Sequence, residues 1–204
     1  MWPHILLVGL QSRETIICLP EMDACRPSSS LPLYLLFSFS FTFMAALGLS
    51  DDTDAISSTC NHTLYFDVCM STLTSRPSSR RADVYGLAAI SLDVGITHAK
   101  ATISYTKSLS KQKGFAGGTY ASVCIADCLE EYKEAVQSLR ESTGALRSGS
   151  YDTVNALVSG AMTNSDTCES AFGEKPGLQS PLTERNDYFF KLCSNSIAIT
   201  NLLA

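Results

Sequence analysis

Small and apolar side chains recur at helical intervals through the second half of the chain, without convincing alternation of the β-strand kind. In the segment 119–146 their spacing is four and three residues in turn, which is the pattern of a buried stripe along a helix. The stripe consists of Ala121, Ile125, Cys128, Tyr132, Ala135 and Leu139. The other side carries Glu130, Glu131, Lys133, Glu134, Gln137 and Arg140, which predicts an amphipathic helix with one solvated face.

Three further segments show the same periodicity and are predicted to be helices: 81–113, 151–172 and 182–203. Glycines and prolines separate the segments, and these residues favour turns. Four long amphipathic helices with short connections bury their apolar stripes in an antiparallel bundle. The sequence therefore predicts an all-α protein in which residues 78–204 form an up-down-up-down four-helix bundle.

A short segment with its own cysteine pair precedes the predicted bundle. Cys60 and Cys69 are expected to close it as a disulfide, which makes residues 49–77 an N-terminal helical hairpin. Between the two cysteines, Asn61, His62 and Thr63 form an N-glycosylation sequon, which is a weak signal because it spans only three residues. A glycan on Asn61 would be carried by this hairpin.

An apolar run at 31–47 precedes the predicted hairpin. It contains serine, threonine and proline within 17 residues, whereas a membrane-spanning helix needs about 20 mostly apolar residues. Arg26 lies upstream, and small residues followed by aspartates lie downstream, which is the layout of a secretory signal peptide. We expect 22–48 to be this signal peptide and the mature chain to begin near Leu49. Residues 1–21 are then an extension from an upstream start codon or a faulty gene model, and the alternative is a cytoplasmic tail on a signal anchor.

Six of the eight cysteines belong to the expected mature chain, where an oxidising compartment favours disulfides. Their spacing offers no metal-ligand pattern, so no metal site is expected. In a helical hairpin, residues equidistant from the turn lie level with each other, and residue 148 is both the expected turn and the midpoint of Cys128 and Cys168. These two stripe residues are therefore predicted to form a disulfide. Cys124 and Cys193 are expected to be free buried thiols, with a bond between them as the alternative.

The chain carries a formal net charge of −5 and offers no basic surface for phosphates, so nucleic acid is not an expected partner. It has no Gly-x-Ser-x-Gly motif, no phosphate-binding glycine loop and no His-Glu-x-x-His motif. The two histidines of the mature part, His62 and His98, are expected to be surface or core residues rather than catalytic bases. We therefore expect neither catalysis nor a cofactor. A lipid-transfer scaffold is disfavoured because that class relies on Cys-Cys and Cys-x-Cys pairs that this chain lacks.

Several strings surround the four cysteines that are predicted to pair. They are Thr59-Cys60, Tyr65-Phe66-Asp67-Val68-Cys69, Asp127-Cys128-Leu129-Glu130-Glu131-Tyr132 and Asp166-Thr167-Cys168-Glu169. A further string, Ser180-Pro181-Leu182-Thr183, leads into the last predicted helix. Because these strings and the four cysteines lie at the positions expected for that family, residues 55–204 resemble the plant invertase and pectin methylesterase inhibitor family. They look most like its pollen-allergen-like branch of invertase inhibitors. The resemblance implies a secreted protein of the apoplast or cell wall that plugs the active-site cleft of a carbohydrate-active enzyme in a one-to-one complex.

The resemblance also indicates where the target binds. In the family's pectin methylesterase inhibitors, the middle helices of the bundle contact the enzyme. A threonine directly before the second cysteine of the bundle disulfide takes part in this contact, and here that residue is Thr167, before Cys168. Asn164 and Asp166 surround it with polar and acidic groups, so we predict these three as target-binding residues. A rigid polar helix face binds without an ordering penalty, and acidic charge steers it toward a basic enzyme. We expect the inhibitor to be a monomer.

One departure from the family bears on the identity of the target. Invertase inhibitors carry Pro-Lys-Phe in the turn before the third helix, whereas this chain has Gly149-Ser150-Tyr151. Because the proline and the lysine are missing, the sequence favours inhibition of pectin methylesterase (pectinesterase), with acid invertase (β-fructofuranosidase) as the alternative target. A second alternative is a secreted storage, allergen-like or ligand-carrying bundle with no enzyme target. A carrier would need a pocket on the order of several hundred Å³.

Overall fold

Six α-helices and two short 3₁₀ helices make up residues 51–204, the part of the chain that the computed structural model describes. The α-helices are α1 (Asp51–Cys60), α2 (Phe66–Thr74), α3 (Val84–Leu109), α4 (Tyr120–Arg147), α5 (Tyr151–Gly173) and α6 (Thr183–Asn201). The 3₁₀ helices are Pro77–Arg81 and Lys113–Phe115. The expected signal peptide and the residues before it lie outside the described residues.

The four long helices α3 to α6 form an antiparallel bundle, so the predicted all-α fold class is confirmed. Helix α4 packs against α3 and α5, and α6 packs against the same two helices, which leaves α3 and α5 diagonally opposite each other. Fully buried side chains from every helix fill the centre, among them Leu92, Tyr132, Val158 and Phe189. None of the helices within residues 51–204 is long and apolar enough to cross a membrane.

The first bundle helix is shorter than the sequence predicts. The spacing predicts 81–113, whereas α3 runs from Val84 to Leu109. At its start, the carboxylate of Asp83 accepts a hydrogen bond from the Gly86 N–H at 2.8 Å, which is a helix N-cap. The residues on either side form the two 3₁₀ helices, so the helical periodicity of the sequence extends past both ends of the α-helix.

The amide of Asn195 in α6 links the α1–α2 hairpin to the bundle. Its side chain is 3% exposed, its Nδ2 donates to the Tyr65 carbonyl oxygen at 3.0 Å, and its Oδ1 accepts from the Tyr65 N–H at 3.3 Å. Lys191 adds a contact, because its Nζ lies 5.8 Å from the centre of the Tyr65 ring. Within the hairpin, Cys60 and Cys69 form a disulfide whose Cα atoms are 5.6 Å apart.

Replacing Asn195 by alanine should loosen the hairpin from the bundle. The change leaves the N–H of Tyr65 without its partner, while the Tyr65 carbonyl oxygen keeps its hydrogen bond from the Cys69 N–H at 2.9 Å. Loss of the partner of a buried donor and of the second bond to the carbonyl lowers the free energy of unfolding by about 2 kcal/mol. Urea unfolding measures this loss, and amide hydrogen exchange should become faster in residues 60–75. Ser194→Ala, at a half-buried neighbouring position, is the control and should change neither quantity. Equal exchange rates in the two variants would contradict the anchoring role of Asn195.

Candidate functional site

The second half of α5 carries the residues that the sequence predicts as target-binding. Thr167 and Asp166 are exposed and directly precede Cys168, which is 1% exposed. Asn164 is half-buried, and its Nδ2 donates a hydrogen bond at 2.9 Å to the carbonyl oxygen of Glu131 in α4. Thr167 and Asp166 are thus accessible to a partner protein, whereas Asn164 is engaged between the two helices. The binding role of all three stays a prediction.

A disulfide between Cys128 and Cys168 fixes this part of α5 against α4. Its Cα atoms lie 4.7 Å apart, and neither residue is more than 1% exposed. The α4–α5 turn lies at Ser148, so the two cysteines are level with each other across the hairpin, as the midpoint argument predicts. Cys124 and Cys193 are free buried thiols within the described residues, and burial raises the pKa of both.

A buried polar network lies next to this disulfide and joins three helices. Asn186 of α6 is 4% exposed, and its Oδ1 accepts a hydrogen bond from the Tyr132 hydroxyl of α4 at 2.7 Å. Its Nδ2 donates at 2.6 Å to Oε2 of Glu169 in α5. The Thr183 hydroxyl donates at 2.5 Å to the other carboxylate oxygen of Glu169. The carboxylate of Glu169 is therefore held at a fixed position, one residue beyond Cys168.

Sequence reasoning did not identify this network, although two signals for it exist. Asn186 lies three residues before Phe189, on the side of α6 that carries the apolar stripe. Tyr132 occupies the buried stripe of α4, and a buried tyrosine hydroxyl needs a hydrogen-bond partner. A polar residue in one stripe facing a tyrosine in another is the pattern that predicts such a contact. Burial raises the pKa of the Tyr132 hydroxyl, so it stays a donor at neutral pH.

Carboxylates lie on both sides of the exposed surface of α5: Glu131 belongs to α4, whereas Asp166 lines a small cleft with Asp187 of α6. Burial raises the pKa of Asp166. Burial, together with the negative charges of Glu134 and Asp127, raises the pKa of Glu131. This face presents negative charge at neutral pH, and these two carboxylates take up protons more readily than isolated carboxylates do.

Glu131→Gln should raise stability modestly near neutral pH and leave it unchanged in acid. A folded-state pKa above the ordinary value of 4.5 means that the folded protein binds the proton more tightly than the unfolded chain. Ionisation of Glu131 as the pH rises through this range therefore lowers the free energy of unfolding, and glutamine removes that loss. Urea unfolding between about pH 3 and pH 8 measures the difference. A gain of the same size below about pH 4 would contradict this explanation.

The turn between α4 and α5 is short and carries no basic side chain. Gly149 has a φ of +69°, a left-handed conformation that favours glycine, and it follows the end of α4. The Ser150 N–H donates to the carbonyl oxygen of Ala145 at 2.9 Å, and Tyr151 is half-buried at the start of α5. This end of the bundle therefore presents small polar groups and one partly covered aromatic ring.

A groove of about 1020 Å³ lies at the opposite end of the bundle, where α5 ends and α6 begins. It is open to solvent, and both polar and apolar side chains line it. The groove reaches the size that a ligand carrier needs, but the sites of carried ligands are lined mostly by apolar side chains, and this lining is mixed. The lining of this groove thus does not favour the carrier alternative.

The two histidines of the described residues lie apart from the predicted contact. His62 is exposed in the hairpin beside Asn61, which is exposed as well. His98 is half-buried, with its Nε2 3.0 Å from the carbonyl oxygen of Arg185, so this nitrogen carries a proton and donates it. Burial lowers the pKa of His98. Among residues 51–204, no group of three or more His, Cys, Asp or Glu side chains is placed to hold a metal ion.

Comparisons with known proteins give consistent results. A family model described as plant invertase/pectin methylesterase inhibitor matches residues 54–199. A Platanus acerifolia protein named "putative invertase inhibitor" is 30% identical over 176 residues, which cover 83% of this chain and 97% of that protein. An Arabidopsis thaliana protein named "cell wall / vacuolar inhibitor of fructosidase 2" is 33% identical over 78% of this chain and 87% of its own length. The crystal structure of a mutant form A of a pectin methylesterase inhibitor from Arabidopsis matches with a TM-score of 0.61 at 25% identity, covering 73% of this chain and 97% of that one.

Proposed function

The chain belongs to the plant invertase/pectin methylesterase inhibitor family, and we propose that it blocks pectin methylesterase by one-to-one binding at the active-site cleft. Members of the family are inhibitors rather than enzymes, so the chain is an inhibitor of a pectinesterase or an invertase, and its partner is a protein. The names of its relatives include both targets. The choice between the two targets is the proposal made here.

The turn between α4 and α5 is the observation that carries this choice. The family's invertase inhibitors carry Pro-Lys-Phe in this turn, whereas Gly149, Ser150 and Tyr151 occupy it here. The turn has neither the fixed backbone of a proline nor the charge of a lysine, and Gly149 adopts a left-handed conformation that proline cannot adopt. A contact that depends on that loop is therefore disfavoured, while a contact through the helix faces is not affected.

The α4–α5 face supports binding to a basic cleft. Thr167 and Asp166 are exposed on α5, and Glu131 adds a further negative charge on the neighbouring helix α4. The disulfide Cys128–Cys168 joins the two helices, so the face is rigid before the partner arrives and little conformational freedom is lost on binding. Negative charge on such a face speeds association with a positively charged enzyme surface.

Titrating the mature protein against purified pectin methylesterase and acid invertase tests the proposal. We expect stoichiometric loss of pectin methylesterase activity and no loss of invertase activity. Inhibition should weaken between 0.1 M and about 1 M salt, because the Debye length falls from about 10 Å to about 3 Å. Inhibition of invertase alone would overturn the proposed target. Inhibition that does not change with salt would overturn the role of charge.

Acid invertase is the second candidate target, and the names of some relatives point to it. Two proteins similar to this chain at 30% and 33% identity are named as inhibitors of invertase or fructosidase. Tyr151 keeps an aromatic ring at the last position of the family's Pro-Lys-Phe motif. If the titration shows invertase inhibition, Tyr151→Ala should weaken it by at least about tenfold, because the aromatic residue is then the part of the motif that remains.

We further propose that the mature protein begins near Leu49 and acts outside the cell, in the apoplast or cell wall, as a monomer. Residues 49–77 are then the N-terminal hairpin and 78–204 the inhibitor domain. The exposed side chain of Asn61 is open to glycosylation in the secretory pathway. Amino-terminal sequencing and mass analysis of the secreted protein, before and after removal of N-glycans, test the mature start and the glycan together.

A further inference from the structure

The groove at the end of the bundle has no part in the proposed enzyme contact. It lies where α5 ends and α6 begins, and neither Thr167 nor the α4–α5 turn lines it. Its volume of about 1020 Å³ is comparable with pockets that hold small ligands. The residues of interest in its lining are Tyr105, Glu169, Leu178, Pro181, Glu184 and Arg185.

Arg185 supplies hydrogen-bond donors that nothing within the described part of the chain uses. Its guanidinium carbon lies over the Tyr105 ring, 4.3 Å from the ring centre, so a cation–π contact helps to hold the group in place. Within residues 51–204 its N–H groups make neither an ion pair nor a hydrogen bond to protein. A guanidinium that is held in this way and has free N–H groups is preorganised to grip two neighbouring acceptor atoms at once.

Glu169 and Glu184 supply acceptors on the same groove. Asn186 and Thr183 each donate to one oxygen of the Glu169 carboxylate, which holds it in place and leaves each oxygen able to accept a further hydrogen bond. Glu184 is exposed at the rim. The groove thus combines a fixed carboxylate, an exposed carboxylate and a guanidinium that lies over an aromatic ring.

This combination selects a ligand by charge and by hydrogen bonding. The two carboxylates outweigh the single guanidinium and repel an anion, whereas a cation offers no acceptor atom to the N–H groups of Arg185. Hydroxyl groups both donate to carboxylates and accept from a guanidinium. The half-buried Tyr105, Leu178 and Pro181 add apolar surface of the kind that covers the C–H face of a ring. We propose that the groove binds a neutral oligosaccharide, and that this binding is independent of the enzyme contact on α4 and α5.

Nuclear magnetic resonance titration of the isotope-labelled mature protein tests the proposal, with cellotetraose and β-1,4-galactotetraose as neutral probes and tri-galacturonic acid as the anionic probe. At least one neutral probe should produce saturable shifts confined to the groove, and the anionic probe should bind more weakly. Arg185→Gln should lower the affinity for the neutral probe by at least about fivefold, because hydrogen bonds to a charged group are lost. The absence of saturable shifts with both neutral probes, or tighter binding of the anion, would overturn the proposal.

Lys175→Gln is the matched control, because it removes the same charge from an exposed residue that does not line the groove. It should leave the affinity for the neutral probe unchanged, and a loss equal to that of Arg185→Gln would overturn the assignment of the site. Circular dichroism and urea unfolding of both variants show whether the fold is retained. Thr167→Trp should bind the saccharide as the original protein does, so a failure of the enzyme proposal and a failure of this one are separable.

Discussion

Removing the disulfide between Cys128 and Cys168, by replacing both residues with alanine, should lower the free energy of unfolding by about 4 kcal/mol. The bridge joins residues 40 positions apart, and opening it returns the conformational entropy of that long loop to the unfolded chain. Both residues are at most 1% exposed, so the loss of buried sulfur atoms adds to the effect. Urea unfolding of the mature protein and of the double variant measures the difference.

The hairpin disulfide provides a matched control for this experiment. Cys60 and Cys69 are 9 positions apart, and the same loop-entropy relation gives about 2.5 kcal/mol for the corresponding double alanine variant. Its cysteines are as deeply buried as those of the bundle disulfide, so the two pairs differ chiefly in loop length. An equal or larger loss for the hairpin pair would contradict the explanation by loop entropy.

The bundle can be predicted from the sequence because its helices are long and each carries a continuous stripe. The stripe of α4 from Ala121 to Leu139 runs without interruption, and glycines and prolines separate the long segments from one another. The disulfide Cys128–Cys168 follows from the same information, since a helical hairpin with a known turn brings residues of equal distance from that turn together. Short-range periodicity and simple geometry are sufficient for both.

The polar contacts between helices are harder to predict because they depend on side chains distant in the sequence. Asn195 and Tyr65 are 130 residues apart, and nothing in either segment indicates that a buried amide meets a hairpin backbone. Asn186 lies in an apolar stripe, yet its partners belong to two other helices, so their angular positions decide whether the network forms. Such contacts depend on helix rotation to within a fraction of a turn, which periodicity alone does not specify.

In the candidate site, too, the sequence predicts the exposure of some residues, whereas the contact of another depends on how the helices pack. Thr167 and Asp166 are exposed as expected, because the residues beside a buried cysteine on an amphipathic helix point outward. Asn164, which lies three residues earlier, is half-buried and reaches the carbonyl oxygen of Glu131 instead. A sequence assigns a residue to one side of a helix, whereas the approach of the neighbouring helix decides whether a residue at the edge of that side stays accessible.

Replacing Thr167 by tryptophan should weaken inhibition of pectin methylesterase by at least about tenfold, or about 1.4 kcal/mol in binding free energy. The proposed contact places this exposed threonine against the enzyme, where a bulky ring separates two surfaces that otherwise fit closely. The substitution adds no side chain to the core, so helicity and the free energy of unfolding should change by no more than about 0.5 kcal/mol. Inhibition constants from titrations of enzyme activity, with circular dichroism and urea unfolding, measure both effects.

Thr97→Trp is the matched control because Thr97 is an exposed threonine in α3, and α3 lies diagonally opposite α5 in the bundle. It introduces the same ring at the same kind of helical position but on a surface that the proposed complex leaves in solvent. We expect the Thr97→Trp protein to inhibit as the original does. If Thr167→Trp inhibits equally well, the contact is not on this face of α5, and if both variants lose inhibition to the same degree, the effect comes from the added ring rather than from its place.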